Sequence, residues 1–237
     1  MKVAIMQPTY LPWLGYFHLM AHADCFVLLD DAQFSKQSWH NRNRILVRGE
    51  EHTLTVSLQR PPLGTPLNAV SVNYGKDWVK SHIGQLRAAY AKALYGPPLV
   101  ADVERLLKER PERLLDVTVP ILCKLAEKLG LKTPMVLASK LDIPGVRSER
   151  LLQICRRLGA TDYLSPAGAE AYLLEDRFMD QGDVRLWIQR FVPQPYEQPG
   201  TSTFIPYLSA IDLLAHHGPD VAAQHLAPWQ FQEASRP

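Results

Sequence analysis

The fold turns on one stretch, Lys2-Val-Ala-Ile-Met-Gln-Pro-Thr-Tyr-Leu-Pro-Trp-Leu-Gly-Tyr-Phe-His-Leu-Met-Ala-His-Ala-Asp-Cys-Phe-Val-Leu-Leu-Asp-Asp31. Lys2–Met6 is a short apolar run that suits a buried strand. The loop from Gln7 to Pro12 cannot continue it as a central strand, because proline removes ladder donors. Phe17, Met20 and Ala21 fall near helical spacing, so a helix is expected from Gly15 or Tyr16 to Ala23. Asp24–Asp31 then reads as a second buried strand, with the continuous apolar run of a parallel sheet. Strand, loop, helix and strand make a βαβ unit whose loop lies at the carboxyl end of the first strand.

Working outward, Arg44–Leu58 reads as a β-hairpin turning at Gly49, and Val70–Val72 as a short strand. Helices are expected over Asp77–Leu94, Val100–Lys108 and Leu114–Leu129, with Gly130 placed as a C-terminal cap. The α/β rhythm then resumes. Strands are expected at Pro134–Ala138, Thr161–Leu164 and Val184–Phe191. Helices are expected at Ser148–Leu158, from the Ser165–Ala169 turn through Leu174, and at Ser209–His216. The tail from Pro228 reads as loose, with Trp229 as a docking residue. The expectation is one α/β domain over residues 1–237, with a Rossmann-like (HUP-type) parallel sheet, a helical insertion at about 77–130 and a small hairpin.

Composition narrows the class. The chain has 237 residues, 46% hydrophobic and 21% charged, which suits a folded core rather than disorder. Its 26 basic and 24 acidic side chains are too balanced to argue for nucleic acid. No apolar run approaches the ~20 residues of a membrane span, and the first residues do not read as a signal peptide, so a soluble cytoplasmic protein is expected. Cys25, Cys123 and Cys155 form no CxxC pair and imply neither a disulfide framework nor a zinc site. Cys25 and Cys155 suit the core. His18 and His22 share a helical spacing without a metal motif, and His216-His217 reads as a helix end.

Three clusters can carry chemistry. In the first, at the opening crossover, Gly15 would admit a phosphate to the helix N-terminus, and Tyr10, Trp13 or Tyr16 can stack on a base or close the core. The second, Lys36-Gln-Ser-Trp-His-Asn-Arg-Asn-Arg44, packs guanidinium and amide groups suited to phosphates and carboxylates around a tryptophan. The alternative is a charged turn whose Asn41 and Asn43 bond local backbone. In the third, Ser165 and Gly168 can cradle an anion, or Ser165 can act as a helix cap. Asp30-Asp31 can hold a cation or an amine, or cap a loop.

Met6–Phe17, Phe34–Arg44, Tyr163–Ala169 with Tyr172, and Phe204–Leu214 together resemble the WbqC-like family over nearly the whole chain. The resemblance implies bacterial surface-glycan or natural-product pathways, and carries no role onto His40. A fainter likeness joins the first crossover to the nucleotidylyltransferase and pantothenate synthetase superfamily, with Trp13-Leu-Gly-Tyr16 in place of its His-x-Gly-His. That likeness implies activation by a nucleoside triphosphate.

The resulting expectation is an enzyme joining an acyl or aminoacyl group to an amino sugar or another amine, with ATP and Mg²⁺ as possible activators. Its ligands would be a nucleotide or nucleotide-activated sugar and a small amine or carboxylate. Lys36, Arg42 and Tyr16 are the candidate catalytic residues. Gln7, Tyr10, Trp13, Gly15, Asn41, Asn43, Arg44, Ser165 and Gly168 are the candidate binding residues, and no metal ligands are assigned. The alternatives are an ATP-independent glycosyl- or acyltransferase, and a non-catalytic subunit of a glycan-assembly complex.

Overall fold

The computed structural model describes residues 1–36, 38–181 and 184–235. Gln37 of the second cluster lies outside them. The chain opens with β1 (Lys2–Met6), α1 (Leu14–Ala21) and β2 (Cys25–Leu28), followed by a hairpin of β3 (Arg42–Val47) and β4 (Glu50–Thr55). Three helices come next, α2 (Trp78–Tyr90), α3 (Gly96–Lys108) and α4 (Leu114–Lys128). The last part is β5 (Met135–Leu137), α5 (Arg147–Arg157), β6 (Asp162–Ser165), α6 (Glu170–Glu175), β7 (Arg185–Gln189), α7 (Ala210–Leu226) and β8 (Phe231–Glu233).

The central sheet runs β5-β2-β1-β6-β7-β8, and only β8 is antiparallel to its neighbour. Period-two alternation divides it into two faces. Val3, Ile5, Cys25 and Val27 pack with α5 and α6, whereas Ala4, Phe26 and Leu28 pack with α1. The helices of the insertion, α7 and the inner face of the hairpin cover that second side, where Ile45 and Leu54 are wholly buried. Lying between the sheet and α7, α1 buries seven of its eight residues, so it needs no polar face. This is the Rossmann-like architecture expected from the opening stretch. The sheet begins at β1, grows outward through β2 and β5, then returns to add β6 and β7 on the other side of β1.

Several elements differ from the sequence expectations. The α3 helix starts at Gly96, because Pro97 and Pro98 fall in its first turn, where a missing N–H costs nothing. Val70–Val72 forms isolated bridges, Leu58 to Val72 and Ser71 to Arg113, instead of a strand. The helix expected to stop at His216 bends at Gly218 (φ 81°), and Pro219 restarts it toward Leu226. The tail from Pro228 is not loose, for β8 pairs with the outer edge of β7 and Phe231 stacks on His18. In the hairpin, Gly49 has φ +83°, and a Cβ there would lie 2.0 Å from the carbonyl oxygen of Gly200, so only glycine fits that turn.

Candidate ligand groove at the switch point

Strand order reverses between β1 and β6, which opens a crevice beyond their carboxyl ends. Three adjoining cavities occupy this region. The largest, about 550 Å³, lies among Met6, Trp13, Gly168 and Phe191. A second, about 240 Å³, lies among Gln7, Leu29, Tyr163, Gly168 and Tyr172. The third, about 280 Å³, is lined by Trp13, Trp39, Asn43, Arg44 and Tyr207. Met6, Pro166 and Gly168 are shared by the first two, and Trp13 by the first and third.

The loop after β1 is held from several directions. Asn43 Nδ2 donates to the carbonyls of Tyr10 (3.1 Å) and Leu11 (2.8 Å), while its Oδ1 accepts from the Arg44 N–H (2.9 Å). These bonds secure a leucine in the left-handed region, Leu11 at φ 46°. The Tyr10 hydroxyl is buried against His82 Nδ1 at 3.0 Å. Trp13 folds back over the first turn of α1, and a Cβ on Gly15 would lie 2.1 Å from its ring. The missing side chain of Gly15 therefore makes room for Trp13, which also packs on Phe191 and Tyr207.

The second cluster forms a wall. The guanidinium groups of Arg42 and Arg44 lie 5.5 and 5.6 Å from the centre of the half-exposed Trp39 ring. Arg44 also pairs with Glu51 at 2.7 Å and donates to the Tyr207 carbonyl. Asn41 Nδ2 donates to the Val56 carbonyl at 2.8 Å, extending the hairpin, and Lys36 is exposed. His40 is buried, with Nε2 3.1 Å from Gln7 Oε1 and Nδ1 without a partner among the described residues. Burial holds its pKa down at about 4, so the ring is neutral. Donation from Nε2–H to Oε1 leaves the Gln7 amide hydrogens for the cavity that Gln7 lines.

On the far side, Ser165 is wholly buried, and its hydroxyl reaches the Pro166 carbonyl at 3.3 Å. Gly168 is exposed, and a Cβ there would meet nothing within 4 Å. Arg190 closes this edge through a two-pronged pair with Glu170 at 2.6 and 2.7 Å.

Of the expected site residues, Gln7, Trp13, Gly15, Asn43, Arg44 and Gly168 line these cavities, and Arg42 stands on the same Trp39 wall as Arg44. Tyr16 does not join them. It is wholly buried against Phe17 and Phe26, and its hydroxyl has no partner among the described residues. Tyr10 and Ser165 are also fully buried. Asp30 and Asp31 resolve as supports, because Asp30 accepts from the Ser139 N–H and hydroxyl while Asp31 forms a two-pronged pair with Arg150. Among the described residues, no group of three or more His, Cys, Asp or Glu is placed to hold a metal ion.

Sequence reasoning did not assign His40, Gln189, Phe191 or Tyr207 to the site. Gln189 was hidden in a strand, where it donates to the Gly15 carbonyl and to His18 Nδ1. Tyr207 did carry a signal, as an aromatic residue just before the Ser209 cap, and it sits at φ 62° on the cavity wall.

Fold and groove define a doubly wound α/β protein with a ligand-sized crevice at its switch point. The chain belongs to the WbqC-like protein family, whose model matches residues 7–224. It is 30% identical over 219 residues to the uncharacterized protein Rv1507c of Mycobacterium tuberculosis, covering 92% of this chain and 94% of that one. No solved structure matches the chain. Among the described residues, no helix is long and apolar enough to cross a membrane.

Proposed function

We propose that this protein is a transferase of a glycan-assembly route, joining an acyl or aminoacyl group to the amine of an amino sugar. Membership of the WbqC-like family supports the glycan context. One observation carries the site: the switch-point groove adjoins a wall on which two guanidinium groups lie over Trp39. A planar base suits the Trp39 and Tyr207 faces, and phosphate or carboxylate oxygens suit Arg42 and Arg44, with Lys36 on the same segment. Asn41 and Asn43 hold backbone that carries this wall, so they act by positioning.

In the reaction, the amine nitrogen attacks the acyl carbon. The C–N bond forms, the bond from acyl carbon to its leaving group breaks, and the amine releases a proton. One source of the activated acyl group would be a carboxylate that attacks the α-phosphorus of ATP, releasing pyrophosphate, so that AMP is the group that leaves when the amine attacks. Magnesium bound to phosphates keeps several waters, so it demands few protein carboxylates. The test is a thermal-shift titration with ATP and Mg²⁺, then with nucleotide-activated amino sugars. A ligand that binds only the folded chain stabilises it by about 2.7 kcal/mol at a hundred-fold excess over Kd. A shift with ATP supports the ligase form of the reading. A shift with the sugar nucleotide alone supports a transferase without ATP. No shift with either favours a non-catalytic subunit.

Arg42→Ala is expected to weaken that binding about ten-fold or more, the worth of one charge-assisted hydrogen bond. Its melting temperature should move only within the range of surface substitutions. A collapse in stability would make Arg42 structural.

A further inference from the structure

The largest of the three cavities differs in chemistry from the wall beside it. Its surface is built from Met6, Trp13, Pro166, Phe191 and Val192, with Gly168 leaving it open. Two polar side chains border it, and both are engaged within the protein. Gln189 Nε2 donates to the Gly15 carbonyl at 2.8 Å and to His18 Nδ1 at 2.9 Å. Arg190 directs its guanidinium at Glu170 and at Gln232 Oε1. Trp13 covers the first turn of α1 beside Gly15, whose carbonyl is already taken by Gln189.

We propose that this cavity takes the aliphatic chain of an acyl group, while the nucleotide or other anionic end of the same ligand lies on the Trp39 side of Trp13. The proposal rests on the reading of the groove as the transferase site and specifies its acyl donor. A nucleobase suits the cavity less well. Its ring nitrogens and exocyclic groups would be buried facing side-chain donors that are already committed, and unmet polar groups are costly. A chain needs no such partners and gains from leaving water. Met6 adds an adaptable surface for chains of different shape. Charge separates the two ends of the ligand, since Arg44 and Arg42 stand with Trp39 beyond Trp13.

Isothermal titration with free coenzyme A and its acetyl, butyryl, hexanoyl and octanoyl thioesters tests this. Affinity should rise about four-fold for each added methylene while the chain remains inside, the transfer value for one buried CH₂. From butyryl to octanoyl that amounts to about 250-fold. Gly168→Phe should flatten the series, because Gly168 lines this cavity and a bulky side chain there would meet no protein atom that stops it competing with the chain for space. Val192→Asp, at a residue 59% exposed, should weaken the long chains selectively and supplies a second variant expected to fold. Equal affinity for all chain lengths, or an unchanged series in both variants, overturns the acyl assignment. If nucleotides bind in the thermal-shift titration but chain length has no effect, the transferase reading survives without this inference. A chain-length series without any nucleotide binding would keep the apolar site and remove that reading.

Discussion

Asn43 shows how a single residue type can be read two ways. Between Arg42 and Arg44 its amide suits a ligand, but in the structure both amide hydrogens go to the carbonyls of Tyr10 and Leu11. Asn43→Ala would leave those buried carbonyls without their donors and release a strained Leu11. A loss of about 1–3 kcal/mol is expected in urea denaturation, the cost of orphaned buried groups. A neutral substitution would show that the loop holds itself. Sequence distance hid the other half of this region, for Gln7 and His40 meet only because the segment after β2 returns to the end of β1. The chemistry of Lys36–Arg44 was legible as a basic, amide-rich and aromatic run. Which groups face a ligand and which face backbone was not, because both uses demand the same donors.

At the scale of elements, the opening βαβ unit and the hairpin were legible because their apolar patterns are strong and local. The β8 strand was not. It has three residues, two of them polar, and its pairing depends on the edge offered by β7. The continuation of α7 was concealed by Gly218-Pro219, a pair that reads as a stop. Deleting Trp229–Pro237 should therefore destabilise the protein. It removes β8 together with the contacts of Trp229 to Trp187 and of Phe231 to His18. Loss of about 2 kcal/mol or more is expected from the apolar area uncovered. Thermal denaturation checks this, and an unchanged midpoint would return the tail to the status of a loose end.

For the molecule as a whole, three buried histidines make stability depend on pH. His18, His40 and His82 each have a pKa lowered from 6.5 to about 4, chiefly by burial. The folded chain thus binds fewer protons than the unfolded chain between these values. Their contribution is fully present above about pH 6.5 and is lost as the pH falls toward 4. By pH 5 the loss is on the order of 2 kcal/mol per histidine. Denaturation midpoints should fall steeply across this window, and His82→Phe should make the fall shallower. A flat profile would show that these rings are open to water.

The architecture also explains where ligand chemistry gathers. Two sets of strands grow outward from β1 in opposite directions, and the polar, aromatic and basic segments reach the gap between them from the loops after β1, β2, β6 and β7. The central claim is that this gap and its Trp39 wall bind a nucleotide-containing ligand. Its most direct test is calorimetric titration of a nucleotide-activated amino sugar into the native protein and into Trp39→Ala. Trp39 is 47% exposed, so the variant should fold. The account predicts saturable binding to the native chain and a loss of about ten-fold in the variant, the worth of one aromatic stack. Equal affinity in both proteins, or no binding to the native chain, would contradict it.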